Sequence, residues 1–204
     1  MILFLTLIFS ACIGPDGKNN SNRKATKNSI EATLQIESDS KLVDTLNDPY
    51  HRSYLIDRTT KETGKMFLDN KLLPNDDGPT LRTMDSLLSG NPEDRKFYFM
   101  VFVKIMDNAD GALAESVGLT AMKYVELYTD EFLDLSSNLS NGQFNSWATF
   151  VGWEILLSGN EDPVKEGDIF IEKLNSKCSE LDSNKKQRLE DFNKIIRKHI
   201  REKK

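Results

Sequence analysis

Phe97-Tyr98-Phe99-Met100-Val101-Phe102-Val103-Lys104-Ile105-Met106 is the stretch on which the fold turns. It is apolar at nearly every position and rich in aromatic and β-branched residues, so on its own it reads as a buried strand as easily as a buried helix. Its surroundings decide. Just upstream, Asn91-Pro92-Glu93-Asp94 places a capping side chain, a proline whose missing N–H costs nothing in a first turn, and two acids where the helix dipole favours them. Nothing elsewhere in the chain offers a strand-like partner, and a lone strand would leave its backbone groups unpaired. We therefore expect a central helix, apolar on almost every side, in the middle of the core.

Working outward, apolar residues recur at helical spacing along most of the chain. The spacing predicts helices at roughly 29–46, 49–70, 79–89, 92–107, 110–136, 143–158, 163–180 and 184–202. Asp48-Pro49, Gly78-Pro79 and Asp162-Pro163 mark further starts in the manner of Asn91-Pro92. The fold class is thus all-α, a single multi-helix domain of about eight helices.

The pentapeptide LLSGN occurs twice, at Leu87–Asn91 and Leu156–Asn160. A shift of 69 residues also aligns Thr80 with Thr149, Leu81 with Phe150, Met84 with Trp153, Asp85 with Glu154 and Lys104 with Lys173. One reading is two copies of a three-helix unit; the other is coincidence among residues common at helix ends. In either case the two leucines are expected to face the core, the glycine to end one helix, and the Asn or Asp with its proline to start the next.

The 204 residues carry a net charge of −5, unevenly spread. From Lys185 onward nine Lys and Arg oppose three Asp and Glu, a net of +6, which leaves −11 on the rest. Such an acidic body would repel phosphate and argues against nucleic acid as a partner. The basic 184–202 segment has an apolar stripe, Leu189, Phe192, Ile196 and Ile200. It is read as a final helix docked on the core, the rival being a helix lying on anionic lipid or polymer.

The first dozen residues, MILFLTLIFSAC, form an apolar run too short to span a bilayer, ending in small residues before Cys12. Phe9-Ser10-Ala11-Cys12 resembles the lipobox of bacterial lipoproteins. The resemblance implies a signal peptide at 1–11, cleavage before Cys12 and acylation of its sulfur and amine by fatty acyl chains such as palmitate. Two features depart from that pattern: Phe9 stands where the family usually has leucine, and no Lys or Arg precedes the apolar run. We expect the translation start to lie upstream. Residues 12–28, with Gly14-Pro15-Asp16-Gly17 and a run of polar residues, read as a tether, and 29–204 as the helical domain.

No catalytic motif stands out. The sequence has only His51 and His199 and, beyond Cys12, only Cys178, too few for a zinc site. Cys178 reads as a small core residue, and the two histidines as surface or capping groups. Asp107-Asn108-Ala109-Asp110-Gly111 looks like a calcium loop, yet with Gly111 in sixth place Met106 and Val117 fall at the first and twelfth positions, where oxygen ligands are needed. It reads as a turn with Asp110 as cap. No nucleophile elbow, Walker loop or dinucleotide fingerprint occurs. Among 32 acids, Glu154 and Asp85 are of most interest because they lie on otherwise apolar helices. Trp147 and Trp153 share an aromatic-rich helix with Phe144 and Phe150, which reads first as core packing; the rival is a ligand or partner surface made by Trp147, Trp153 and Glu154.

The expectation is a lipid-anchored cell-envelope protein, attached at Cys12 to an outer membrane or cell surface. It would act by binding an envelope protein, in the narrower form as an immunity or inhibitor protein. A small periplasmic enzyme using unassigned carboxylates, or a small-ligand binder, is the alternative. No cofactor or metal is implied, and the oligomeric state is left open.

Overall fold

In the computed structural model the Phe97–Met106 stretch is helical throughout. The structure describes residues 58–159, 161–177 and 181–203. The expectations for 29–46, Cys12, His51 and Cys178 lie outside them. Eight α-helices follow one another among the described residues: α1 (Thr60–Leu68), α2 (Gly78–Asp85), α3 (Pro92–Met106), α4 (Gly111–Leu127), α5 (Thr129–Ser136), α6 (Asn141–Leu157), α7 (Pro163–Ser176) and α8 (Ser183–Lys203). Among the described residues there is no strand.

Local chemistry sets the starts. Asn91 Oδ1 accepts from the Glu93 N–H at 3.0 Å, with Pro92 at the first helical position. Asp77, rather than Gly78, caps α2, its Oδ1 accepting from the Thr80 N–H at 2.6 Å. Ser140 and Gln143 form a capping box ahead of α6. Asp110 stands at the N-cap of α4, but its side chain makes no capping bond, and Gly111 takes φ 43°, a left-handed value that suits glycine.

Two expected helices are shorter than predicted. The expected 49–70 helix does not run through Thr59, which is extended (φ −66°, ψ 154°) and forms a capping box with Glu62 that starts α1 at Thr60; residues 49–57 lie outside the described ones. The 110–136 helix breaks at Tyr128 (φ −128°, ψ 46°), where the Tyr128 hydroxyl donates to the Ser89 carbonyl at 3.3 Å and the Arg95 guanidinium lies 3.8 Å from the ring centre. These side chains tie the α4–α5 corner to the first LLSGN turn.

The two copies of that pentapeptide are built differently. In the first, α2 gives way to a 3₁₀ turn at Ser86–Leu88, Leu87 is buried, and Gly90 does not take a positive φ. In the second, α6 runs to Leu157, and Gly159 takes φ 76° just beyond it. The expectation that both leucines face the core fails there: Leu156 is half-buried and Leu157 is 61% exposed. The capped proline starts of α3 and α7 are common to both copies.

α3 runs through the core, burying Tyr98, Phe99, Val101, Phe102, Val103, Ile105 and Met106. Trp147 of α6 stacks on Phe99 with ring centres 4.9 Å apart and touches Phe102, Tyr124 and Phe132. Phe132 and Phe144 carry the aromatic cluster on to Phe192 of α8. Each such ring removes roughly 150–250 Å² from water, so the cluster dominates the apolar stabilisation.

α8 docks by its stripe, with Leu189, Phe192, Ile196 and Ile200 all buried. Its cations also reach inward. Lys185 bridges Asp130 and Asp134 at 2.6 and 2.7 Å, Arg188 covers the Phe144 ring and bonds the Ser136 carbonyl, and Arg197 pairs with Asp168 at 2.9 Å.

Candidate partner-binding surface

The residues singled out on α6 separate. Trp147 and Trp153 are six positions apart, about 240° round a helix, so they cannot share a face. Trp147 is fully buried in the aromatic cluster. Trp153 is 40% exposed, with the His199 imidazole edge-on at 5.1 Å and Lys203 Nζ 5.9 Å from its ring centre.

Trp153 belongs to a shallow apolar groove of about 270 Å³ between α4 and α6, lined by Ala114, Glu115, Phe150, Trp153 and Leu157. Phe150, Trp153 and Leu157 recur at the i, i+3, i+7 spacing that puts side chains in one row. Apolar side chains in one exposed row beside the Glu115 carboxylate make this groove the candidate contact surface. The sequence had concealed Leu157, because a leucine ending an amphipathic helix reads as core.

Glu154 adjoins this row. On the helix surface it lies beside both Phe150 and Leu157, four and three residues away. Gly118 of α4 packs at the same point, so closely that an added Cβ would sit 3.0 Å from the Phe150 carbonyl oxygen and 3.1 Å from Glu154 Oε2. A cleft of about 200 Å³ begins there, with Met122, Ile155 and Ile169 as its apolar walls and Glu126, Glu154 and Glu166 as its acids.

The charges of this cleft are unlike those elsewhere. Six Asp and Glu among the described residues are half-buried. Four of them hold a cation: Asp94 with Lys61, Glu126 with Lys173, Glu131 with Arg95 and Asp168 with Arg197. The other two, Glu154 and Glu166, form no ion pair with a described residue, and both line this cleft. Burial raises the Glu154 carboxyl above the ordinary carboxylate range, and Lys123 offsets this only in part. His199, on the other side of Trp153, is held below the ordinary imidazole value by burial and by the nearby Lys203.

A second polar cluster is framework. Arg95 bonds both oxygens of Glu131 and the Ser89 carbonyl, and Tyr124 donates to Glu131 Oε1 at 2.8 Å, so these groups leave little free for a ligand. Asp85 is exposed at the end of α2. Among the described residues no group of three His, Cys, Asp or Glu could hold a metal ion, and no helix is long and apolar enough to cross a membrane. Neither protein-family models, curated proteins nor solved structures match this chain.

Proposed function

We propose that this is a lipid-anchored cell-envelope protein that works by binding another envelope protein through the α4–α6 face. One observation carries the binding part: Phe150, Trp153 and Leu157 form an apolar row in a groove, with Trp153 and Leu157 40% and 61% exposed. Full burial of an apolar side chain is worth roughly 1.5–3 kcal/mol, and a partner covering Trp153 and Leu157 would recover the part that corresponds to their remaining exposure. The anchor rests on the lipobox-like Phe9-Ser10-Ala11-Cys12. Acyl chains on Cys12, followed by the polar 13–28 tether, would hold the helical body at an outer membrane or cell surface and leave this face free to meet neighbours there. An inhibitor or immunity protein, which blocks a partner by covering its surface, is the narrower form of the same reading.

The test is affinity purification of the full chain, solubilised from membranes, beside a Trp153→Ser/Leu157→Ser double variant. A partner retained by the wild type and lost from the folded variant is the expected result. Equal recovery on both removes the α4–α6 face from the function.

A further inference from the structure

Glu154 lines the acid cleft and lies one helical turn from Phe150 and Leu157 of the apolar groove, so a partner helix covering the groove passes beside that carboxylate. Three features define that occupant. The groove lies between two helices, so it offers side chains and no free backbone edge to which a strand could be added. The Phe150–Leu157 row extends for about 10 Å, the length along which a facing helix presents residues at i, i+3 or i+4 and i+7.

Charge supplies the third feature. Glu154 and Glu166 are the half-buried carboxylates without a cation, while Glu126, on the same cleft, is already taken by Lys173. Glu115 adds a further acid at the groove. Among the described cations, Lys173 is committed to Glu126, Lys203 lies at the Trp153 edge, and Lys123 offsets the Glu154 charge in part without forming an ion pair with it. The face therefore lacks one thing, a positive group delivered from outside next to apolar side chains.

Building on the binding role above, we propose that the occupant is an amphipathic basic helix of a partner protein. Its apolar residues lie on Phe150, Trp153 and Leu157, and a lysine or arginine enters between Glu154 and Glu166. An anionic partner would meet two carboxylates that no ion pair neutralises, Lys123 offsetting Glu154 only in part, and is disfavoured by the same geometry.

The test uses the full detergent-solubilised chain and two defined 18-residue helical peptides, one of leucine, alanine and lysine, the other with glutamate in place of every lysine. Binding is followed through the fluorescence anisotropy of a dye attached to the peptide, a signal that wild type and every variant share. The lysine peptide is expected to bind about 10-fold more tightly or better, with an advantage that shrinks as salt rises. Trp153→Ser should abolish the preference for this face, and Glu154→Gln/Glu166→Gln should weaken the lysine peptide by about 5-fold while leaving the glutamate peptide unchanged or improved. Equal affinity for the two peptides, no measurable binding of the lysine peptide, or indifference to the paired Gln variant overturns the basic-helix inference. If both peptides bind alike but lose affinity in Trp153→Ser, the α4–α6 face remains a binding surface and only its charge selectivity falls.

Discussion

Arg95 and Glu131 face each other across 36 residues of chain and join through two parallel bonds, Nε to Oε1 at 2.9 Å and Nη2 to Oε2 at 2.8 Å. Their side chains are 8% and 20% exposed, so neither charge has much water to fall back on. Arg95 also holds the Ser89 carbonyl, which fixes the first LLSGN turn to the α4–α5 corner. Arg95→Met should cost about 3–5 kcal/mol by stranding Glu131, whereas Arg95→Met with Glu131→Leu should recover much of that loss. Urea unfolding of the two single variants and the double variant measures the coupling.

The same pair sets an acid dependence. Burial acts to raise the Glu131 carboxyl, but bonds from Arg95 and Tyr124 outweigh it and hold the group below its ordinary 4.5. The native state thus favours the ionised form. Its contribution is complete above about pH 4.5 and is lost as the pH falls through the lower native value. Stability followed from pH 6 to 3 should drop less steeply in Glu131→Gln than in wild type.

Glu154 should behave in the opposite sense. Its carboxyl is raised by burial, so the native state penalises the charged form, and the penalty is present at neutral pH and fades as the group is protonated in acid. Glu154→Gln should therefore raise the melting temperature at pH 7, by about 1 °C given the solvent the group still sees. The gain should vanish below about pH 4. A fall in melting temperature at pH 7 would mean that Glu154 has a stabilising partner.

The two tryptophans should separate cleanly. Trp147→Ala removes the centre of the aromatic cluster and should cost about 3–5 kcal/mol. Trp153→Ala should change stability by under about 1 kcal/mol, since its ring is largely at the surface. Thermal melts of the two variants distinguish core from face directly.

Gly118 tests how the face is made. A branched side chain there meets the Phe150 carbonyl oxygen, which cannot turn away, as well as the Glu154 side chain. Gly118→Val should lose about 1–3 kcal/mol and push α4 away from Glu154.

Much of this fold was legible because helix starts are local chemistry: Asn91-Pro92 and Asp162-Pro163 cap where the sequence places them. The Thr59–Glu62 box is equally local, but the apolar periodicity that runs through it hides the start it makes. The break at Tyr128 was not legible, because it depends on Arg95 and Ser89, more than thirty residues upstream. Helical spacing alone separates Trp147 from Trp153, but which of them faces inward depends on what α4 and α8 cover. The same holds for Leu157, and for Glu154 and Glu166, which meet only through the packing of α6 and α7.

Partner binding at the α4–α6 face is tested most directly by a photo-crosslinking residue placed at Leu157 in the full chain, in the cell that makes it, with the same residue at the comparably exposed Met100 as reference. Binding at this face predicts one discrete adduct from position 157, joined to a segment of another protein rich in lysine or arginine, and none from position 100. An adduct joined only to this chain's own residues 13–57, or the same adducts from both positions, would contradict it.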